Sequence, residues 1–402
     1  MRLRNTTLAL STVVAIGVAG CGSGPDSGTG PEPITVGVIS ALSAVSSTTF
    51  VNPYSVQGVR AAVKAVNAAG GVYGRPLALK VCDNAGDPNR NATCARQAVA
   101  EKWVAVVGGY DTTGPDRVLP ILEAGTIPYV GQMQGTPAEF QSRMSFPVEV
   151  GTVGNSVGTA AMMVEAGCRA SVVVSYTSSP GATERLAQIT RALTRAGDSS
   201  ARVVGMQPNT ANITPIVADA LTGSPDCVYF SGTGEDAAKL FTAVTKTGAG
   251  RRISMFAPTG VLRPDILAAM GPAAEGIRGS SGVPLPNNPH PSVRQYLDDL
   301  KASDPEARPT EQTLNGYAAV KLLALALDGL PETTGTALYQ RLNTATSMQV
   351  MAFPTLDFTR TRDSRLYPRQ PNTVVWYSLV KDGHWQSARA DAAPTDISTY
   401  LP

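Results

Sequence analysis

ITVGVISALSAVSSTTFVNPYSVQGVRAAVKAVNAAGGVYGRPLALKV, residues 34–81, decides the fold. It opens on a compact apolar run, Ile34–Ile39, of the length of a buried strand. A Ser/Thr-rich loop follows from Ser43 to Thr49. From Tyr54 to Ala69 the period changes: Val56, Val59, Val63 and Val66 recur three or four residues apart, which sets them on one face of a helix. Gly70-Gly71 stops that helix, and Leu77–Val81 reads as the next strand. A strand, a helix and a strand joined by short links are the repeating unit of a parallel sheet.

The same grammar runs outward. A polar loop with Asp83, Asn84 and Asp87-Pro88 leads to a helix at Ala92–Glu101, and Val104–Val107 is a strand ending in Gly108-Gly109. A helix that begins near Pro115 ends over Leu119–Ala124, and Ile127–Val130 is another strand. After Phe146 the alternation restarts. Helices are expected at Gly158–Ala166, Ala182–Ala196, Ile216–Leu221 and Glu235–Thr245, with strands at Val172–Tyr176, Arg202–Met206, Cys227–Ser231 and Ile253–Ala257. Gln312–Leu327 is a long apolar helix, and Thr373–Leu379 with His384–Gln386 forms a terminal hairpin around Lys381-Asp382-Gly383. The expected fold class is α/β, with two doubly wound parallel-sheet lobes.

The amino terminus reads differently. A basic start, Met1-Arg2-Leu3-Arg4, precedes an apolar run from Leu8 to Ala19 and then Val18-Ala19-Gly20-Cys21. That order is a secretory signal over residues 1–20. A cysteine straight after the small residues resembles a lipobox, which makes Cys21 the lipidated first residue of the mature chain. Plain cleavage and a short membrane helix are the alternatives. The run is about 12 residues, against about 20 for a spanning helix. Residues 21–33 form a Gly/Ser/Pro tether, and the body begins at Ile34. The expected location is the extracytoplasmic face of the cell membrane, held by the lipid.

Composition excludes more than it assigns. The chain of 402 residues suits two domains. Of 33 basic residues, Arg2 and Arg4 leave with the signal; 33 − 2 = 31 face 31 acidic ones, so the body is neutral and offers nucleic acid no basic stripe. The two histidines, His290 and His384, lie far apart, and HExxH, GxSxG and Walker patterns are missing, which argues against a metal, a cofactor and an enzyme. Besides Cys21 there are Cys82, Cys94, Cys168 and Cys227. In an oxidising compartment they are expected to pair as Cys82–Cys94 and Cys168–Cys227, the latter if the strands beside them are neighbours; four buried thiols are the alternative.

Several of these segments resemble one family: ITVGVISALS (34–43), AVNAAGGVYGRPL (65–77), the Asp83–Pro88 loop, FPTLDFT (353–359) and VWYSLVKDGHW (375–385). They are similar to the branched-chain amino-acid-binding proteins of ABC importers, with the type I periplasmic binding fold. The resemblance implies three crossings between lobes, near Phe146, Val283–Pro286 and Met351–Pro354. Lobe I is then 34–147 plus 284–352, and lobe II 148–283 plus 353–402. It also implies a small-molecule ligand in the interlobe cleft, a membrane permease as partner and a monomeric state. A sensor with the same cleft is the alternative.

Candidate ligand residues lie just past strand ends, where open α/β sheets bind ligands. Tyr110, Asp111, Thr112 and Thr113 follow one strand and precede a helix, a setting that suits a carboxylate; in the family this loop grips the ligand's α-carboxylate, with Thr112 and Thr113 at the matching position. Gln132 and Gln134 follow the next strand, where relatives carry smaller residues. Ser43 and Phe50 are expected to form a wall, and Tyr176 a cover. Thr233 opens a helix whose Glu235 matches the family's acid for the ligand ammonium. Asp111 together with Glu235 suggests a cationic or amide-like ligand as a rival to leucine, isoleucine and valine, with a solvent-facing Asp111 as the alternative. Capping, solvation and core packing are the bland alternatives for these positions.

Overall fold

The computed structural model describes residues 31–45, 51–111, 114–177, 182–198, 201–362, 365 and 367–401. Cys21, the signal, the tether as far as residue 30, Phe50, Thr112 and Thr113 lie outside the described residues.

From Glu32 onward the chain is one compact unit holding two sheets. The first contains β1 (Ile34–Ser40), β2 (Leu77–Asp83), β3 (Val106–Val107), β4 (Tyr129–Val130) and β5 (Ser145–Phe146), in the order β2-β1-β3-β4-β5 and parallel throughout. Between them run α1 (Pro53–Ala68), α2 (Pro88–Ala100), α3 (Pro115–Ala124) and α4 (Pro137–Gln141). The chain then enters α5 (Gly151–Glu165) and a second alternation: β6 (Ser171–Tyr176), α6 (Ala182–Arg195), β7 (Arg202–Met206), α7 (Thr214–Leu221), β8 (Cys227–Ser231), α8 (Gly234–Lys246), β9 (Ser254–Phe256), α9 (Pro264–Met270) and β10 (Arg278–Ser281). It returns through α10 (Pro291–Ser303), α11 (Glu311–Leu327) and α12 (Gly335–Asn343), and closes with β11 (Val374–Lys381), β12 (His384–Ser387) and β13 (Thr395–Asp396). The second sheet runs β12-β11-β10-β9-β8-β6-β7, antiparallel where β11 meets β10 and β12, with β13 on β11.

The first sheet is covered on both faces, as a parallel sheet must be. Ile34, Val36 and Val38 join Val56, Val59, Val63 and Val66 of α1 and Leu314, Tyr317 and Leu323 of α11 in one core. Ile39, on the other face, packs with Cys94, Trp103 and Leu122. Each such side chain removed from water contributes about 1.5–3 kcal/mol. Helices α1 and α11 approach so closely that a Cβ on Gly58 would overlap the Thr313 carbonyl, and one on Gly316 the Ser55 carbonyl. Both glycines are therefore required by contact rather than by backbone angle.

Both expected disulfides form, Cys82–Cys94 between β2 and α2 and Cys168–Cys227 at the start of β6 and β8. The strands are neighbours, with Ser171 opposite Cys227. The terminal hairpin also forms, turning through Asp382 and Gly383, both at positive φ as a two-residue hairpin turn demands. Sequence periodicity did not mark β10, α9, α10 or α12. Strand β10 reads Arg-Gly-Ser-Ser and has no apolar alternation, because its neighbours β9 and β11 supply the burial. Among the described residues no helix is long and apolar enough to cross a membrane.

Two outcomes follow. Substituting Gly58→Ala or Gly316→Ala forces backbone against side chain and costs about 1–3 kcal/mol, read as a lower midpoint in urea. The chain-entropy relation assigns about 3 kcal/mol to the 12-residue separation of Cys82–Cys94 and about 4 kcal/mol to the 59-residue separation of Cys168–Cys227. Reduction should therefore lower the unfolding temperature, and the Cys168→Ala/Cys227→Ala variant should lose more than its Cys82→Ala/Cys94→Ala counterpart.

Candidate functional site

Loops at the carboxyl ends of the first sheet mostly bind one another. Ser43 donates its hydroxyl to Asp83 Oδ2 at 2.6 Å, and the Leu42 and Ser43 amides donate to Oδ1 of the same carboxylate. Asp111 is buried beneath its loop, where Oδ2 accepts from Asn84 at 3.1 Å and from Asn91 of α2. Gln132 and Gln134 are fully buried: Gln132 donates to Ser145, and Gln134 to Ser145 at 3.0 Å and to the Glu139 and Arg369 carbonyls. These two long amides stitch the exit of β4 to β5 and to the returning chain. Tyr110 takes a different direction. Its hydroxyl is pushed up to about 12 by burial, with Arg185, Glu139, Glu311 and Asp111 as the charged groups acting on it. Arg185 belongs to α6 and Glu311 to α11.

In the second sheet, Tyr176 turns onto the start of α8. Its hydroxyl donates to Asp236 Oδ2 at 2.7 Å and accepts from the Thr233 amide at 3.1 Å, while Thr233 Oγ1 sits 2.9 Å away. Glu235 is exposed and ion-paired to Arg263 at 3.2 Å, which Asp265 shares at 3.3 Å. Arg185 donates from Nε to Ser231 Oγ at 3.2 Å, at the carboxyl end of β8.

The segments joining the two sheets carry acids that sequence reading passed over. Glu311 opens α11. Its Oε1 accepts from Asn155 of α5 at 2.7 Å and from the Gly282 amide, just past β10, at 3.2 Å. Its Oε2 lies 3.5 Å from Thr259 Oγ1. Glu149, just before α5, is fully buried, and neither of its oxygens has a hydrogen-bond partner of normal geometry. Burial raises both acids, Glu149 well above the usual carboxylate range, although the Gly151 amide favours its ionised form. Glu139 is raised to about 8 by burial, against the pull of the Gly135 and Thr136 amides it caps. A signal for Glu149 did exist: it is the lone charge in the apolar stretch FPVEVGTV (146–153). Arg185 and Glu311 carried none, because helix-end charges are ordinary.

Beside Glu311 a cavity of about 290 Å³ opens between the β9 and β10 exits and the start of α11, with Leu262, Leu267, Val283 and Trp385 among its apolar walls. The metal-ligand grouping Cys168, Asp226 and Cys227 spends both sulfurs in a disulfide.

Two α/β sheets whose connecting segments meet at Glu311, which accepts from Asn155 of α5 and from the Gly282 amide, are the frame of a substrate-binding protein. The periplasmic binding protein family model matches residues 33–372, and the chain belongs to that family, with the type I fold. A Leu/Ile/Val-binding protein homolog from Brucella suis is 24% identical over 281 residues, 67% of this chain and 72% of that protein. A possible leucine/isoleucine/valine-binding protein from Rhodopirellula baltica superposes with a TM-score of 0.74 at 20% identity, covering 89% of this chain and 96% of that one. A leucine-binding protein from Thermotoga maritima also gives 0.74 at 16% identity, over 91% and 99%.

The raised acids make stability depend on pH. An unfolded carboxyl loses its proton near pH 4.3, whereas folded Glu139 keeps it to about pH 8. Between those values the folded state binds the extra proton, so stability falls as pH rises, by about 1.4 kcal/mol per pH unit for each such group. Glu139→Gln should flatten that slope between pH 5 and pH 8 in urea titrations, relative to the unaltered chain.

Proposed function

We propose that this chain is a lipid-anchored, extracytoplasmic solute-binding protein of an ABC importer of the branched-chain amino-acid type. It takes a small amino-acid-like or amide-like ligand between its lobes and hands it to a permease. The observation that carries this reading is the periplasmic binding protein family match over residues 33–372, on two α/β sheets whose connecting segments meet at Glu311. A ligand touching both lobes favours their closed arrangement. No group there is set up as a nucleophile–base pair.

The lobes are taken as 34–147 plus 284–352 and 148–283 plus 353–402. Phe353, Leu356 and Phe358 pack in the core of the first sheet, and Tyr367 packs with Phe140 and Ile189. Ligand contacts are assigned to Tyr110 and the Thr112–Thr113 loop on one side, and to Arg185 and Thr233 on the other. Asp111 supports the loop through Asn84 and Asn91. Capture by a tethered monomer beside a permease fits the Cys21 lipobox and the Gly/Ser/Pro segment after it.

Thermal unfolding of ligand-stripped protein against amino acids, amides and amines tests capture. At about 100 times the dissociation constant a true ligand adds about 2.7 kcal/mol, a rise of several degrees. No stabilisation across the panel would sink the reading. Separately, Cys21→Ala should move the protein from the membrane to the soluble fraction, and unchanged membrane association would count against the anchor.

A further inference from the structure

Buried acceptor atoms around Gly282 are left short of donors. Glu149 is fully buried, and with the Gly151 amide acting on it neither carboxylate oxygen has a hydrogen bond of normal geometry; Asn155, 6% exposed, has spent its amide N–H on Glu311 and leaves Oδ1 unpartnered. The two converge: a Cβ built on Gly282 would overlap Glu149 Oε2 and lie 2.9 Å from Asn155 Oδ1. Glu311 Oε1 meets the same residue through the Gly282 amide. The charged groups acting on Glu149 are Glu311 and Glu139, both acids. Gln132, Gln134 and Glu139, in the first sheet's loops, each also leave one buried oxygen without a donor.

Desolvating a carboxylate beside a second one is costly unless a cation or a proton joins it. Acceptors drawn from α5, α11 and the chain before α5, with glycine where they meet, form a socket for a compact hydrogen-bond donor.

We propose that Glu149, Asn155 and Glu311 receive a cationic nitrogen of the ligand, an ammonium or guanidinium group, so that the solute captured is an amine- or guanidine-bearing molecule and not one with a hydrocarbon side chain. This rests on the solute-binding reading above and names its substrate class. In the unliganded protein a proton occupies the socket. The ligand's cation displaces it, the carboxylate of Glu149 is left ionised, and the proton goes to solvent. Binding therefore tightens as pH rises.

Isothermal titration calorimetry on the ligand-stripped chain, from Cys21 onward, tests this with agmatine, putrescine, arginine and lysine against leucine and valine. The expected result is binding of at least one cationic compound, with proton release visible as an enthalpy that changes between phosphate and Tris buffers. Glu149→Gln, nearly isosteric, should weaken that binding by about tenfold or more. Its unfolding temperature and its circular dichroism establish that it is folded. Binding of leucine or valine alone, or wild-type affinity for the cation in Glu149→Gln, overturns the inference and leaves solute capture standing. Should Glu149→Gln not fold, the buffer dependence decides: cation binding without proton release overturns the socket. Binding of none of these compounds, with no stabilisation in the wider thermal panel, removes both readings.

Discussion

The carboxylate of Glu311 ties the two halves of this molecule together. It begins the return helix α11, yet its oxygens are held by Asn155 of α5, the amide of Gly282 and Thr259 beyond β9. A charge placed there has to be satisfied by the second sheet's elements, so the position of α11 relative to that sheet is set by hydrogen bonds and not by oily contact alone. On its other side α11 is locked to α1 through the Gly58 and Gly316 contacts, and α1 lies on β1. The chain of constraint thus runs from the first sheet to the second through one helix.

The remaining crossings are laced in a similar way. Asn372 donates to the Val148 carbonyl and Gln370 to the Val150 carbonyl, so the outgoing and returning strands at the junction are joined by side-chain amides. Arg369 stacks 4.9 Å over the Phe146 ring. Apolar side chains fill this junction as well: the Phe146 ring packs edge-on to Phe358 at 5.4 Å and Phe353 to Trp376 at 5.8 Å, while the amides bridging to backbone carbonyls hold the segments in register.

The fold was legible because its signals are local. Valines at helical spacing in α1, the Gly70-Gly71 stop and the apolar runs of β1 and β2 each declare an element without reference to the rest. The disulfides were legible because compartment and strand order narrowed the partners. The candidate site was legible only as a set of loops. Asp111, Gln132 and Gln134 sit past strand ends, where ligands are expected, but their polar groups are turned into the protein by Asn84, Asn91 and Ser145. Tyr176 likewise turns to Asp236, and Glu235 to Arg263. Spacing tells where a residue stands along the chain; which neighbour satisfies it depends on partners tens to hundreds of residues away.

Sequence alone therefore determined the class of this protein: a doubly wound α/β chain with Cys82–Cys94 and Cys168–Cys227 placed to pair. Those properties follow from periodicity, composition and short-range motifs. Tertiary structure decided which polar groups are spent and which are left over. Glu149 and Asn155 are six residues apart, but their unsatisfied oxygens meet only because Gly282 and Glu311 arrive from elsewhere. Burial, which makes an unpaired carboxylate costly, is a property of the folded interior and cannot be read from one segment.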